Sequence, residues 1–205
     1  LNKNGCKTIY APVVIGEPLE VCVDLSVISD FNGVQISCYG EADGAVMAIA
    51  GGGIGDFTFN WYDDASNLLV TDVAATFDTL NLLPAGNYSV TVIDENGCTA
   101  YDEISISQPD SISIDFENII HIRCEGEDEG QATAIWEGGL GFGAYNVVWT
   151  DQEGTFLAAT ATIEELAFGI YTVTISDNNA CFNTLSLEIN ESEILLAQNG
   201  GDTVS

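Results

Sequence analysis

The chain of 205 residues sets Asp+Glu 32 against Lys+Arg 3, for a net charge of -29; so acidic a surface repels phosphate backbones and anionic headgroups, which excludes nucleic acid and electrostatic docking on a membrane. Hydrophobic residues at 46% and aromatics at 9% suffice for packed cores, and two ordinary domains fit the length. No apolar run approaches the roughly 18 residues of a membrane span, so no membrane insertion is expected in this segment.

Residues 1–18 contain Asn4-Gly5-Cys6 and close on Glu17-Pro18, which recur as Asn96-Gly97-Cys98 and Gln108-Pro109. They read as the C-terminal end of a preceding repeat. Residues 19–109 are the first full copy. In it Cys38-Tyr39-Gly40-Glu41 leads to a strand over 45–50, and Gly51 to Gly55 breaks the chain. A third strand then runs over 57–62, with Trp61 where a sandwich core takes one large aromatic. Tyr88, Val90 and Val92 alternate with polar residues, and Asp94-Glu95-Asn96-Gly97 turns the chain into a strand over 99–107, with Gly97 suited to positive φ. Tyr88, just after Gly86, has the place of a tyrosine corner.

Residues 110–192 run through the same series. Cys124-Glu125-Gly126-Glu127 faces Cys38-Tyr39-Gly40-Glu41, Gly138-Gly139 faces Gly52-Gly53, Trp149 faces Trp61, Tyr171 faces Tyr88 and Cys181 faces Cys98. Cys38 and Cys124 are 86 residues apart, and Cys98 and Cys181 are 83 apart. Residues 193–205 are the start of a following repeat or a linker. With six or seven short strands per copy and no helical period, the fold class is all-β: tandem immunoglobulin-like antiparallel β-sandwich repeats.

The six cysteines form no Cys-x-x-Cys pair, and their wide, recurring spacing fits an oxidising, exported setting. Cys38 and Cys98 match Cys124 and Cys181 in place, which predicts one disulfide within each copy. Cys22 has no counterpart, and a Cys6 to Cys22 bond is a candidate extra link between neighbouring copies.

Catalytic chemistry is not expected. His121 is the single histidine and falls in one copy only, so no base stands beside a nucleophile in the repeated pattern. The glycines at 51–55 are followed by a strand and not by the helix N-terminus of a phosphate loop. No cofactor is expected, with calcium as the one candidate metal. Glu125, Glu127, Asp128 and Glu129 concentrate oxygen ligands after Cys124, without an Asp-x-Asp-x-Asp-Gly loop.

Taken together, Cys-x-Gly-x-x-x-Gly, Gly-Gly, the aromatic run to Trp, Leu-x-x-Gly-x-Tyr-x-Val-x-Val, Asp-x-Asn-Gly-Cys and the closing Gln-Pro make the chain resemble the SprB-type repeat of Bacteroidota gliding-motility and cell-surface adhesins. The second copy departs at Val147, at Asn179-Ala180 and at Glu191-Ser192. The resemblance implies type IX secretion, display in tandem arrays on the outer surface, and adhesion or gliding. The expected partners are neighbouring repeats of the same polypeptide, with surface polysaccharide or other cell-surface proteins. The alternative is a glycan- or ligand-binding module accessory to a secreted enzyme, which would need a solvent-facing aromatic cluster in a groove.

Overall fold

The computed structural model describes residues 16–123, 126–141 and 144–191, and these form fourteen strands without a helix. The first copy contributes β1 (Cys22–Val27), β2 (Gly44–Gly51), β3 (Phe57–Tyr62), β4 (Leu68–Ala74), β5 (Phe77–Leu83), β6 (Gly86–Ile93) and β7 (Thr99–Ile106). They form two sheets, ordered β1-β2-β5 and β4-β3-β6-β7. The second copy contributes β8 (Asp110–Ile120), β9 (Gly130–Gly139), β10 (Asn146–Asp151), β11 (Phe156–Ala158), β12 (Thr162–Leu166), β13 (Gly169–Ser176) and β14 (Phe182–Ile189). Its sheets are ordered β12-β9-β8 and β11-β10-β13-β14. Both copies thus carry the A-B-E and C′-C-F-G strand sets of an immunoglobulin-like sandwich.

The strands follow from period-two alternation. Phe57, Phe59 and Trp61 point inward from β3, and Tyr88, Val90 and Val92 do so from β6. On the other sheet the inward residues of β2 are small, with Ala48 and Ala50 beside Val46. The second copy repeats the division of volume: Ala132 and Ala134 from β9 share one core with Trp149, Tyr171, Val173 and Ile175. Trp149 is fully buried, Phe116 stacks on it at 5.8 Å, and its Nε1 donates to the Thr160 carbonyl at 2.9 Å. Trp61 is likewise fully buried, with Nε1 donating to Asp78 Oδ2 at 2.7 Å.

The Gly-Gly pair does more than turn the chain. Gly52 and Gly138 have φ of +72° and +88°, and a Cβ on either would collide with a backbone carbonyl, that of Glu20 or of Ser111. These glycines let the segment at the start of each copy lie directly against the end of its second strand.

The chain divides into two compact units whose limits are not those of the repeats. Of the described residues, one gathers 16–26 with Val46–Leu80 and Asn87–Ile104; the other joins Val27–Ala45 and Asn81–Gly86 to those between Ser105 and Glu191. The Cys38 loop, though part of the first copy in sequence, therefore belongs to the same compact unit as the whole second copy.

Candidate functional site

The site that departs most from an ordinary sandwich is the β13–β14 hairpin. Asp177 is buried at its base, where Oδ1 accepts from the backbone N–H groups of Asn179 (2.9 Å) and Cys181 (3.1 Å). Its other oxygen accepts from the Leu140 N–H at 3.2 Å, which ties the hairpin to the Gly138-Gly139 turn. A short side chain that captures its own downstream N–H groups fixes the loop without outside help.

So fixed, the hairpin projects Asn179 and Cys181 at the Cys38 loop. The Asn179 amide nitrogen donates to the carbonyls of Phe31 (3.1 Å) and Ser37 (3.0 Å), and its oxygen accepts from Asn32 Nδ2. Cys181 then closes a disulfide with Cys38, Cα to Cα 5.5 Å, across a sequence separation of 143. Beneath the Cys38 loop, Ile36 is fully buried and Gly40 N–H donates to Gln108 Oε1 at 2.8 Å. A groove of ≈ 370 Å³ runs over the bond, lined by Cys38, Tyr39, Pro109, Ile112, Cys181 and Phe182. Tyr39 and Phe182 are both well exposed there.

This bond corrects the pairing expected within each copy. Cys38 is joined to Cys181 and not to Cys98, and Cys98 is an exposed free thiol. Five strands, β2 to β6, separate Cys38 from Cys98. Each antiparallel strand carries the chain to the other end of the sandwich, so an odd number leaves the two cysteines at opposite ends. Gln108, which holds the Cys38 loop, and Cys98 flank the eight residues of β7; that length is about 27 Å, against the roughly 7 Å that a disulfide tolerates between Cα atoms. In the second copy Ile122 N–H donates to the Asn190 carbonyl, at the end of β14 remote from Cys181. Cys124 and Cys6 lie outside the described residues, and Cys22, the expected partner of Cys6, is an exposed free thiol.

Among the described residues, the calcium candidates Glu127, Asp128 and Glu129 do not converge on one point. Glu125 lies outside the described residues, and Glu129 is held by Arg123, whose Nε and Nη2 donate to it at 3.0 Å and 3.1 Å. The Arg123 side chain and backbone N–H together keep the Glu129 carboxyl below its ordinary pKa. Among the described residues no group of three or more metal-binding side chains converges. Tyr171, in the corner position, donates its hydroxyl to the Ala167 carbonyl at 3.0 Å, while Tyr88 is buried in the matching place. Burial is the main cause that raises the pKa of both phenols.

Sequence reasoning did not single out Trp136 and Tyr145, which meet edge to face at 5.9 Å, with the Tyr145 hydroxyl donating to the Gly138 carbonyl. Trp136 has no counterpart tryptophan in the first copy, where Met47, Ile49 and Ala50 hold the neighbouring positions. Asn179 was missed as well, although Asn4, Asn96 and Asn179 all stand two residues before a cysteine, and that recurrence is the signal for it.

Ala180 sits at φ +63°, where Gly97 of the first copy sits at φ +83°. Left-handed backbone disfavours a Cβ by about 1 kcal/mol. Ala180→Gly is therefore expected to stabilise the chain by roughly that amount, read as a higher urea midpoint with unchanged slope; a lower midpoint would contradict it.

No family model and no curated protein matches the sequence. Among solved structures, the chain is similar to the first two immunoglobulin domains of DIP-gamma (12% identity, 83% of this chain and 99% of that one, TM-score 0.45). It is also similar to immunoglobulin domains 1–4 of Sidekick-1 (12% identity, 85% and 50%, TM-score 0.38). Fibronectin(III)-like modules of Clostridium thermocellum CbhA give 11% identity, 82% and 95% coverage and a TM-score of 0.32. Likeness at this level carries no statement of function.

Proposed function

We propose that the chain is a structural and adhesive segment of an exported bacterial cell-surface protein, one stretch of a tandem array that projects or presents binding surfaces. The observation that carries this reading is the disulfide from a loop of one copy to a hairpin of the next. Such a bond forms and persists in an oxidising compartment, and here it fastens successive repeats to each other. The type IX route and a role in gliding rest on the SprB-type resemblance. The high negative charge keeps the array soluble and its surfaces apart.

An antibody raised against this chain is expected to label intact cells that express the protein and to reduce their attachment to surfaces. Labelling that appears only after permeabilisation would overturn the proposal.

A second reading, recognition of a glycan, is favoured by the exposed Tyr39 and Phe182 flanking the groove over the disulfide. Aromatic faces of this kind stack on sugar rings. It predicts that replacing both by Ala abolishes binding to surface polysaccharide while the disulfide still forms, and unchanged binding by that variant would discard it.

A further inference from the structure

The two hairpins, 94–98 and 177–181, share the hydrogen bonds that their aspartates make. Asp94 Oδ1 accepts from the N–H groups of Asn96 (3.0 Å) and Cys98 (2.8 Å), as Asp177 Oδ1 does from Asn179 and Cys181. Asp94 N–H donates to the Cys98 carbonyl at 2.9 Å, and Asp177 N–H to that of Cys181 at 3.0 Å. Gly97 N–H donates to the Asp94 carbonyl and Ala180 N–H to that of Asp177, both at 3.0 Å. The second oxygen of Asp94 accepts from Ile54 N–H, just after the Gly52-Gly53 turn, at 3.0 Å, as that of Asp177 accepts from Leu140 N–H. One of these hairpins holds a Cys38-type loop through an asparagine amide and a disulfide. The other presents the same asparagine and the same cysteine, Asn96 and an exposed Cys98 thiol, on the same scaffold.

We propose that the Asp94–Cys98 hairpin is a covalent docking site for the Cys38-type loop of another copy of this repeat. Asn96 positions the loop through two backbone carbonyls, and Cys98 seals it with a disulfide. The rule is then that the first cysteine of each copy bonds the second cysteine of the copy that follows it. Cys38 with Cys181 is one instance, and Cys98 belongs to a bond with a copy on its N-terminal side. The sequence bears the two halves of the pattern again: Asn4-Gly5-Cys6 repeats the hairpin, and Ile122-Arg123-Cys124 repeats Ile36-Ser37-Cys38. In the reaction two thiols lose their protons and two electrons and form one S–S bond. The electrons and protons pass to a disulfide oxidant, which leaves as two thiols.

The proposal rests on the tandem-array reading, but its test is separate from antibody labelling of cells. The complete chain, with Cys38–Cys181 intact, is incubated at high concentration with oxidised and reduced glutathione. About 0.5 M salt shortens the Debye length to roughly 4 Å, so that the acidic molecules can approach. Head-to-tail species are expected in which Cys98 of one molecule is bonded to the Ile-x-Cys segment around Cys124 of another, as read by non-reducing peptide mapping. Cys98→Ser should abolish them and Cys22→Ser should not. Asn96→Ala should slow their formation while leaving alkylation of the free Cys98 thiol unchanged, the mark of a positioning residue. Cys98 that stays fully alkylatable, or that bonds Cys22 or Cys6 as readily as Cys124, would overturn the proposal.

Discussion

Pulled from its two ends, the oxidised chain is expected to extend about 500 Å less than the same chain under reductant. The Cys38–Cys181 bond shunts tension past a sequence separation of 143, and each residue yields roughly 3.5 Å when extended. Strands β2 to β13 lie inside the shunted segment and stay folded while the bond holds. The same bond restrains the unfolded chain. By the chain-entropy relation a closure of this length stabilises the fold by about 4–5 kcal/mol, a large share of the 5–15 kcal/mol typical of a domain. Cys38→Ser and Cys181→Ser should each lower the urea midpoint accordingly, and reductant should then have no further effect on either variant. Equal contour lengths with and without reductant, or a Cys38→Ser variant as stable as the parent, would rule out this load path.

Trp149→Ala is expected to cost about 3–5 kcal/mol, since it empties the largest volume in its core and leaves little that can collapse to fill it. Phe116 loses its stacking partner and the Thr160 carbonyl loses its donor. Trp136→Ala, from a half-buried side chain that packs against the margin of the same core, should cost clearly less. Comparable losses from the two substitutions, measured by chemical denaturation, would show that the division of volume between Ala132 and Ala134 on one sheet and Trp149 on the other does not hold the core. Acid should expose the hairpin carboxylate in turn. Desolvation pushes the Asp94 pKa up, yet donation from the N–H groups of Cys98, Ile54 and Asn96 outweighs it and holds the carboxyl below its ordinary value. A depressed folded pKa gives stability that is present above the unfolded value near 4 and is lost as pH falls through the folded one. Asp94→Asn should therefore flatten the loss of stability below about pH 4, and an unchanged slope would deny the hairpin this role.

Local chemistry left a direct record in the chain. Strict alternation at Tyr88, Val90 and Val92 can only be one face of a strand, and the recurrence of Gly-Gly, Trp and Asp-x-Asn-x-Cys in the same order can only be a repeat. The sandwich, its inward tryptophans and the hairpin turns are for that reason legible in the sequence. Matching places say which cysteines are equivalent, but equivalence admits a bond within a copy or a bond to the next copy. The choice lies in which end of the sandwich each cysteine occupies, and that depends on an odd run of strands between Cys38 and Cys98, a count that six or seven strands per copy left undecided. The sequence by itself determined the strands, the two cores and the recurring turn before each hairpin cysteine, because these follow from neighbours along the chain. Only the tertiary structure decided that Cys181 meets Cys38, that Asn179 seats the loop, and that Glu129 serves Arg123, because each joins groups whose approach is set by how antiparallel strands deliver them to one end of the fold.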